Sequence, residues 1–200
     1  FDKGGLERDP ATIFSHRMPG ASDTILLQNA VSMSVDAYRD NDKVIVEVSI
    51  TNDQTGHHVP TDSPLRQMIL LVNNTDSEGN LLPQINGPTV PDWGGVGNPL
   101  DGYYAQMPGT AYAKILMELW TEVSPTGAYW NPTRVLSDNR IPAMESDTTR
   151  YVFDASSLPE ESKITVSVNL LFRRAFIDLM DQKGWDVPDI VMESQTLQLP

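Results

Sequence analysis

The stretch Val44-Ile45-Val46-Glu47-Val48-Ser49-Ile50 is followed, across a turn-rich segment, by Met68-Ile69-Leu70-Leu71-Val72. In the first run Val44, Val46, Val48 and Ile50 alternate with more polar residues, and the second is almost continuously apolar. Both read as buried strands. Between them lies Asn52-Asp53-Gln54-Thr55-Gly56-His57-His58-Val59-Pro60-Thr61-Asp62-Ser63-Pro64-Leu65-Arg66, which carries two of the three histidines of the chain. A loop anchored at both ends by core strands can hold side chains in fixed positions, so this segment is the first candidate for a functional feature.

Working outward, Val31, Met33, Val35 and Ala37 alternate with Ser32, Ser34 and Asp36, and Asp40-Asn41-Asp42 supplies a turn. A hairpin with the 43–51 strand follows from that pattern. Residues 1–23 form an irregular lead-in, and 24–200 read as one β domain. Residues 82–109 hold Pro83, Pro88, Pro91, Pro99 and Pro108 among several glycines, an excursion that either packs through Trp93, Tyr103 and Tyr104 or meets a partner. The segment from Tyr112 to Trp120 is read as a two-sided strand, with a short helix as the alternative. Tyr151 and Phe153 mark a short strand, and Ile164, Val166, Val168, Leu170 and Phe172 a long one. The period changes over 174–183, where Phe176, Leu179, Met180 and a terminal Gly184 predict one short helix. A last strand is expected over 190–199. About seven or eight strands with little helix predict a mainly β protein, an antiparallel β-sandwich of immunoglobulin-like or jelly-roll-like type.

The 200 residues include no cysteine, which removes disulfides, thiolate metal sites and covalent haem attachment from this chain. With 27 acidic against 14 basic residues the formal net charge is −13, which opposes nucleic acid and anionic membrane as partners. No apolar run reaches the roughly 18 residues of a membrane-spanning helix. The chain begins at Phe1 rather than Met. The expectation is a fragment of a longer protein, with removal of a signal peptide as the other reading.

Catalytic chemistry has little support in the sequence. There is no cysteine nucleophile and no Gly-x-Ser-x-Gly elbow. His57, His58 and Asp62 have ligand chemistry, but adjacent residues on an extended chain point to opposite sides and do not share one ion. The reading is that the chain is not an enzyme. Asp76, Glu78 and Asn80 alternate in a turn with the oxygen donors that calcium takes, against the plainer reading of a solvated hairpin turn. Trp93, Tyr103, Tyr104, Trp120, Tyr129 and Trp130 could form a platform for a sugar or a haem edge, or serve as the private core of long loops. Asn73-Asn74-Thr75 fits a glycosylation acceptor by pattern. Arg66, opening an apolar strand, calls for a structural ion pair.

Four segments in order, Ser15-His16-Arg17-Met18-Pro19-Gly20, the Gly56-His57-His58-Val59-Pro60-Thr61 core, Ser137-Asp138-Asn139-Arg140-Ile141-Pro142 and Phe172-Arg173-Arg174, resemble the cysteine-free C-terminal region of large multihaem c-type cytochromes. The resemblance implies a β-rich accessory module beside a haem-bearing N-terminal region or subunit. Haem c would be present in the parent protein and unattached to this chain. It also implies an extracytoplasmic setting, whether periplasmic, secreted or cell-surface, with a redox protein as a further partner. His16 is the first residue expected to contact or ligate a haem, and His57 the second. The family continues Pro-Thr-Gly where this chain has Pro60-Thr61-Asp62, so a backbone freedom given by glycine is lost there. The competing reading is an adhesion β-sandwich that binds calcium or carbohydrate.

Overall fold

The computed structural model describes residues 9–12, 20, 21, 23–61 and 63–200. After a helical turn α1 (Thr24–Gln28), the elements are β1 (Ser32–Asp40), β2 (Lys43–Thr51), β3 (Gln67–Thr75), β4 (Gln84–Asn86), β5 (Gly109–Glu118), β6 (Thr133–Asp138), β7 (Ser146–Asp154), β8 (Ile164–Arg173), α2 (Ile177–Lys183) and β9 (Ile190–Leu199). They form a four-stranded sheet ordered β1-β2-β7-β4 and a five-stranded sheet ordered β6-β5-β3-β8-β9. Every strand pairing is antiparallel. The expected antiparallel β-sandwich is therefore present, and its fifteen-residue β2–β3 connection carries the chain from one sheet to the other.

The sandwich follows from the alternation. Val44, Val46, Val48 and Ile50 of β2 face Met68, Leu70 and Val72 of β3, with Tyr151 and Phe153 of β7 and the even-numbered apolar residues of β8 completing the core. Each such side chain contributes about 1.5–3 kcal/mol when fully withdrawn from water. At the β1–β2 hairpin Asn41 takes a φ of 52°, the left-handed conformation that asparagine tolerates. Across the two sheets, the Tyr112 hydroxyl of β5 donates to the Asp147 carboxylate of β7 at 2.8 Å, and burial beside that carboxylate pushes the phenol well above its ordinary range.

The continuous apolar run of β3 has a second cause. Ile69 and Leu71 point away from the sandwich core and pack with Ala111, Leu171 and Val90 under Trp93, Tyr104 and Met107. From Val90 onward the proline-rich excursion thus lies on the outer face of the five-stranded sheet and buries it. Its return is tight: a Cβ on Gly109, whose φ is 155°, would run into the Leu70 carbonyl oxygen. Arg173 at the end of β8 pins the same layer. Its guanidinium donates to Asp189 at 2.6 and 2.8 Å and to the carbonyls of Gly94 and Gly102 at 2.9 and 2.6 Å.

Several boundaries differ from the sequence expectation. The Tyr151–Phe153 strand extends over nine residues, because Ser146 to Arg150 pair with Thr51 to Glu47 of β2 although they lack apolar alternation. β4 and β6 were not expected. β4 is only a three-residue edge, and β6 is an almost wholly exposed edge strand whose pairing with β5, rather than burial, defines it. The ambiguous 112–120 segment is strand through Glu118. The short helix is α2, ended by Gly184 at a φ of 63°. A second helical turn, α1, is started by the Asp23 carboxylate, which accepts from the Leu26 N–H at 3.0 Å.

Candidate functional site

The loop between β2 and β3 is built on Asn52, which is fully buried. Its side-chain amide donates to the carbonyls of His57 at 2.7 Å and Ile141 at 2.9 Å, while its own oxygen accepts from the Thr55 hydroxyl at 2.5 Å. Val59 and Ile141 exchange both backbone hydrogen bonds at 2.9 Å, and the Val59–Pro60 peptide is cis. Two segments far apart in sequence, 56–61 and 137–142, are thereby joined into one rigid corner. Asn139 secures its other side, accepting from Ala113 N–H at 2.9 Å and donating to the Ala111 carbonyl at 2.7 Å. Arg140 binds Asp138 through two contacts of 2.7 Å, which hold that carboxyl below its usual range.

His57 sits exposed on this corner, at the rim of a cleft of about 260 Å³. Leu26 and Leu27 of α1, Val59 of the loop, Phe172 of β8 and Met192 of β9 supply its apolar walls. Arg66 also borders the cleft and donates to the Thr61 carbonyl at 3.3 Å. The chain reaches the site through Gly20 and Ala21. His16 and Asp62 lie outside the described residues, so the structure gives no position for the first histidine expected to contact haem. His58 is exposed and does not line the cleft.

The imidazole of His57 has a defined chemistry. Its Nδ1 lies 3.1 Å from the His58 carbonyl oxygen. A carbonyl only accepts, so in the neutral ring Nδ1 carries the proton and Nε2 keeps the lone pair. This is the arrangement in which a histidine ligates a metal through one nitrogen while a backbone carbonyl fixes the other. Tested against haem, the donor set fits a non-covalent role alone: without cysteine the chain cannot hold a covalently attached haem, and His57 is an imidazole donor lining the cleft.

The acidic turn after β3 is organised internally. Asp76 accepts from the backbone N–H groups of Glu78 and Asn80 at 2.8 and 2.9 Å and from the Asn80 side-chain amide at 3.0 Å, and these bonds lower its pKa. A calcium ion at Asp76, Glu78 and Asn80 would compete with them. The expected aromatic platform divides in two. Trp93, Tyr103 and Tyr104 are half-buried over the outer face of the sheet, whereas Trp120, Tyr129 and Trp130 stay exposed on the β5–β6 connection. Asn52, Leu27 and Met192 were not singled out from the sequence. The only signal for Asn52 was its place at the end of an alternating strand, and nothing local brings Met192 to a loop more than a hundred residues away.

No protein-family model and no curated protein matches the chain. Among solved structures, a penta-haem cytochrome c552 from Thermochromatium tepidum shares the fold with a TM-score of 0.65 at 16% identity. The match covers 92% of this chain and 43% of that one, so the chain spans less than half the length of that protein. A PapD-like domain of human CEP192 covers 97% of this chain and 94% of that one at 5% identity, but its TM-score of 0.30 is too low to define a common arrangement.

Proposed function

We propose that this chain is a non-catalytic β-sandwich module of an extracytoplasmic multihaem cytochrome. It supports electron transfer by docking against a haem-bearing region or subunit and shielding a haem edge. The observation that carries the reading is the His57 imidazole, its Nδ1 held 3.1 Å from the His58 carbonyl oxygen, at the rim of an apolar cleft. The fold likeness to a penta-haem cytochrome over nearly the whole chain supports it. So does the way the corner joins two of the sequence segments that carry the family resemblance. A haem bound there would supply one-electron exchange, with His57 as a residue that would hold it through an imidazole nitrogen, which suits a relay rather than a substrate site. In that role His57 supplies a neutral nitrogen, Asn52 holds the loop that orients it, and the walls of the cleft exclude water.

The test uses the parent protein. Its reading frame is expected to encode Cys-x-x-Cys-His sites outside this chain, and a parent without any overturns the module reading. In the intact cytochrome His57→Ala is expected to convert one haem from low spin or shift one reduction potential. An unchanged optical spectrum and redox titration would remove His57 as a ligand.

A further inference from the structure

We propose that a second cleft, between the β5–β6 connection and α2, binds a neutral carbohydrate chain. It has a volume of about 710 Å³, within the range of about 300–1,000 Å³ common to ligand clefts. Trp93, Tyr129, Trp130 and Trp185 contribute rings to it. Asp178, Gln182 and Lys183 of α2 add a carboxylate, an amide and an ammonium to the lining, with Asp178 and Gln182 four residues apart on one helix face.

The loop that carries two of these rings is rigid for a reason other than burying them. Glu118 is buried at the end of β5, and its carboxylate accepts from the Thr121 hydroxyl at 2.7 Å, the Asn131 amide at 3.0 Å and the Thr126 hydroxyl at 3.1 Å. Backbone bonds from Thr126 to the Leu116 carbonyl and from Asn131 to the Ala128 carbonyl, both 3.1 Å, close the loop. Gly127 packs so closely on Leu65 that a Cβ there would lie 2.6 Å from two of its carbons. Yet Tyr129 and Trp130, stacked edge to face with centroids 5.0 Å apart, remain 91% and 69% exposed. A loop fixed this firmly holds large rings in water, and holding them in advance lowers the ordering cost of a ligand that stacks on them.

The chemistry of the walls selects the ligand. The net charge of −13, with Asp178 in the cleft, disfavours an anion. A wholly apolar ligand would strip water from Asp178, Gln182 and Lys183 without replacing their hydrogen bonds. Lys183 offsets Asp178 on the same wall, so the α2 side has no net charge to draw in a quaternary ammonium. A neutral sugar matches this lining, setting its C–H faces on the rings and its hydroxyls against the carboxylate and the amide. Trp185, absent from the aromatic set read in the sequence, completes the site because α2 folds back beside the loop.

The experiment is calorimetric titration of the chain with three neutral hexasaccharides, of β-1,4-glucose, β-1,4-N-acetylglucosamine and α-1,4-glucose. At least one is expected to bind, with a change in tryptophan fluorescence. Trp130→Ala and Tyr129→Ala are each expected to weaken binding about tenfold or more while leaving circular dichroism and Tm unchanged, and Trp130→Tyr to restore part of the affinity. The proposal is overturned if none of the three binds at millimolar concentration, if binding survives both alanine substitutions intact, or if tetramethylammonium binds the cleft and the sugars do not. None of these readouts involves haem, so the outcome is independent of the role proposed for His57.

Discussion

Arg173 shows how much a single side chain can decide. Its side chain is 1% exposed, its guanidinium forms a two-point pair with Asp189, and it lies 5.1 Å from the centre of the Tyr104 ring. Burying a cation is costly unless it is paired and hydrogen-bonded, and here the carbonyls of Gly94 and Gly102 accept two further bonds beside the Asp189 pair. Replacing it with methionine keeps the length but leaves Asp189 and two carbonyls without their donor. We expect Arg173→Met to lower unfolding stability by about 3 kcal/mol, measured by urea denaturation, and a loss below about 1 kcal/mol would mean that the pair behaves like a surface one. The sequence supplied the Phe172-Arg173-Arg174 motif but not this role. Strand alternation puts Phe172 in the core and Arg173 on the opposite face, which reads as solvent until the proline-rich excursion is known to cover it.

At the scale of elements, legibility follows burial. β1, β2, β3, β8 and β9 have alternating or continuous apolar runs and could be read directly from the chain. β6, with Thr133, Arg134, Ser137 and Asp138 around two half-exposed apolar residues, could not, since an edge strand is specified by its neighbour. The corner that presents His57 was visible as a motif, whereas its Ile141 contact and the Met192 wall depend on long-range topology. The Glu118 loop makes a prediction that depends on this scale. Its bond with Thr121, followed by those with Asn131 and Thr126, holds the carboxyl below its ordinary value of 4.5. A group whose folded pKa is depressed stabilises the fold fully above the unfolded value and loses that contribution as pH falls through the folded one. Below pH 4.5 the fluorescence of Trp120 and Trp130 should therefore report loosening of residues 119–132. Glu118→Gln should abolish that pH-dependent step, and an identical titration in the variant would mean another group controls it.

Taken whole, the molecule is a strongly packed sandwich under a one-sided charge. The core strands account for its cohesion, while cross-strand ion pairs such as Arg150–Glu47, 3.4 Å apart and about half exposed, contribute little. With a net charge of −13, repulsion among surface carboxylates acts against the compact state at neutral pH. Added salt shortens the screening length to about 8 Å at 0.15 M, and it weakens that repulsion more than it weakens the few favourable pairs. The expected outcome is that sodium chloride raises Tm at pH 7, by about 2–4 °C for each kcal/mol relieved in a chain of this size. Near the sequence pI of about 4.4 the same titration should leave Tm almost unchanged, because the net repulsion has gone. A Tm that falls with salt at pH 7 would show that paired charges, rather than the apolar core, hold the two sheets together.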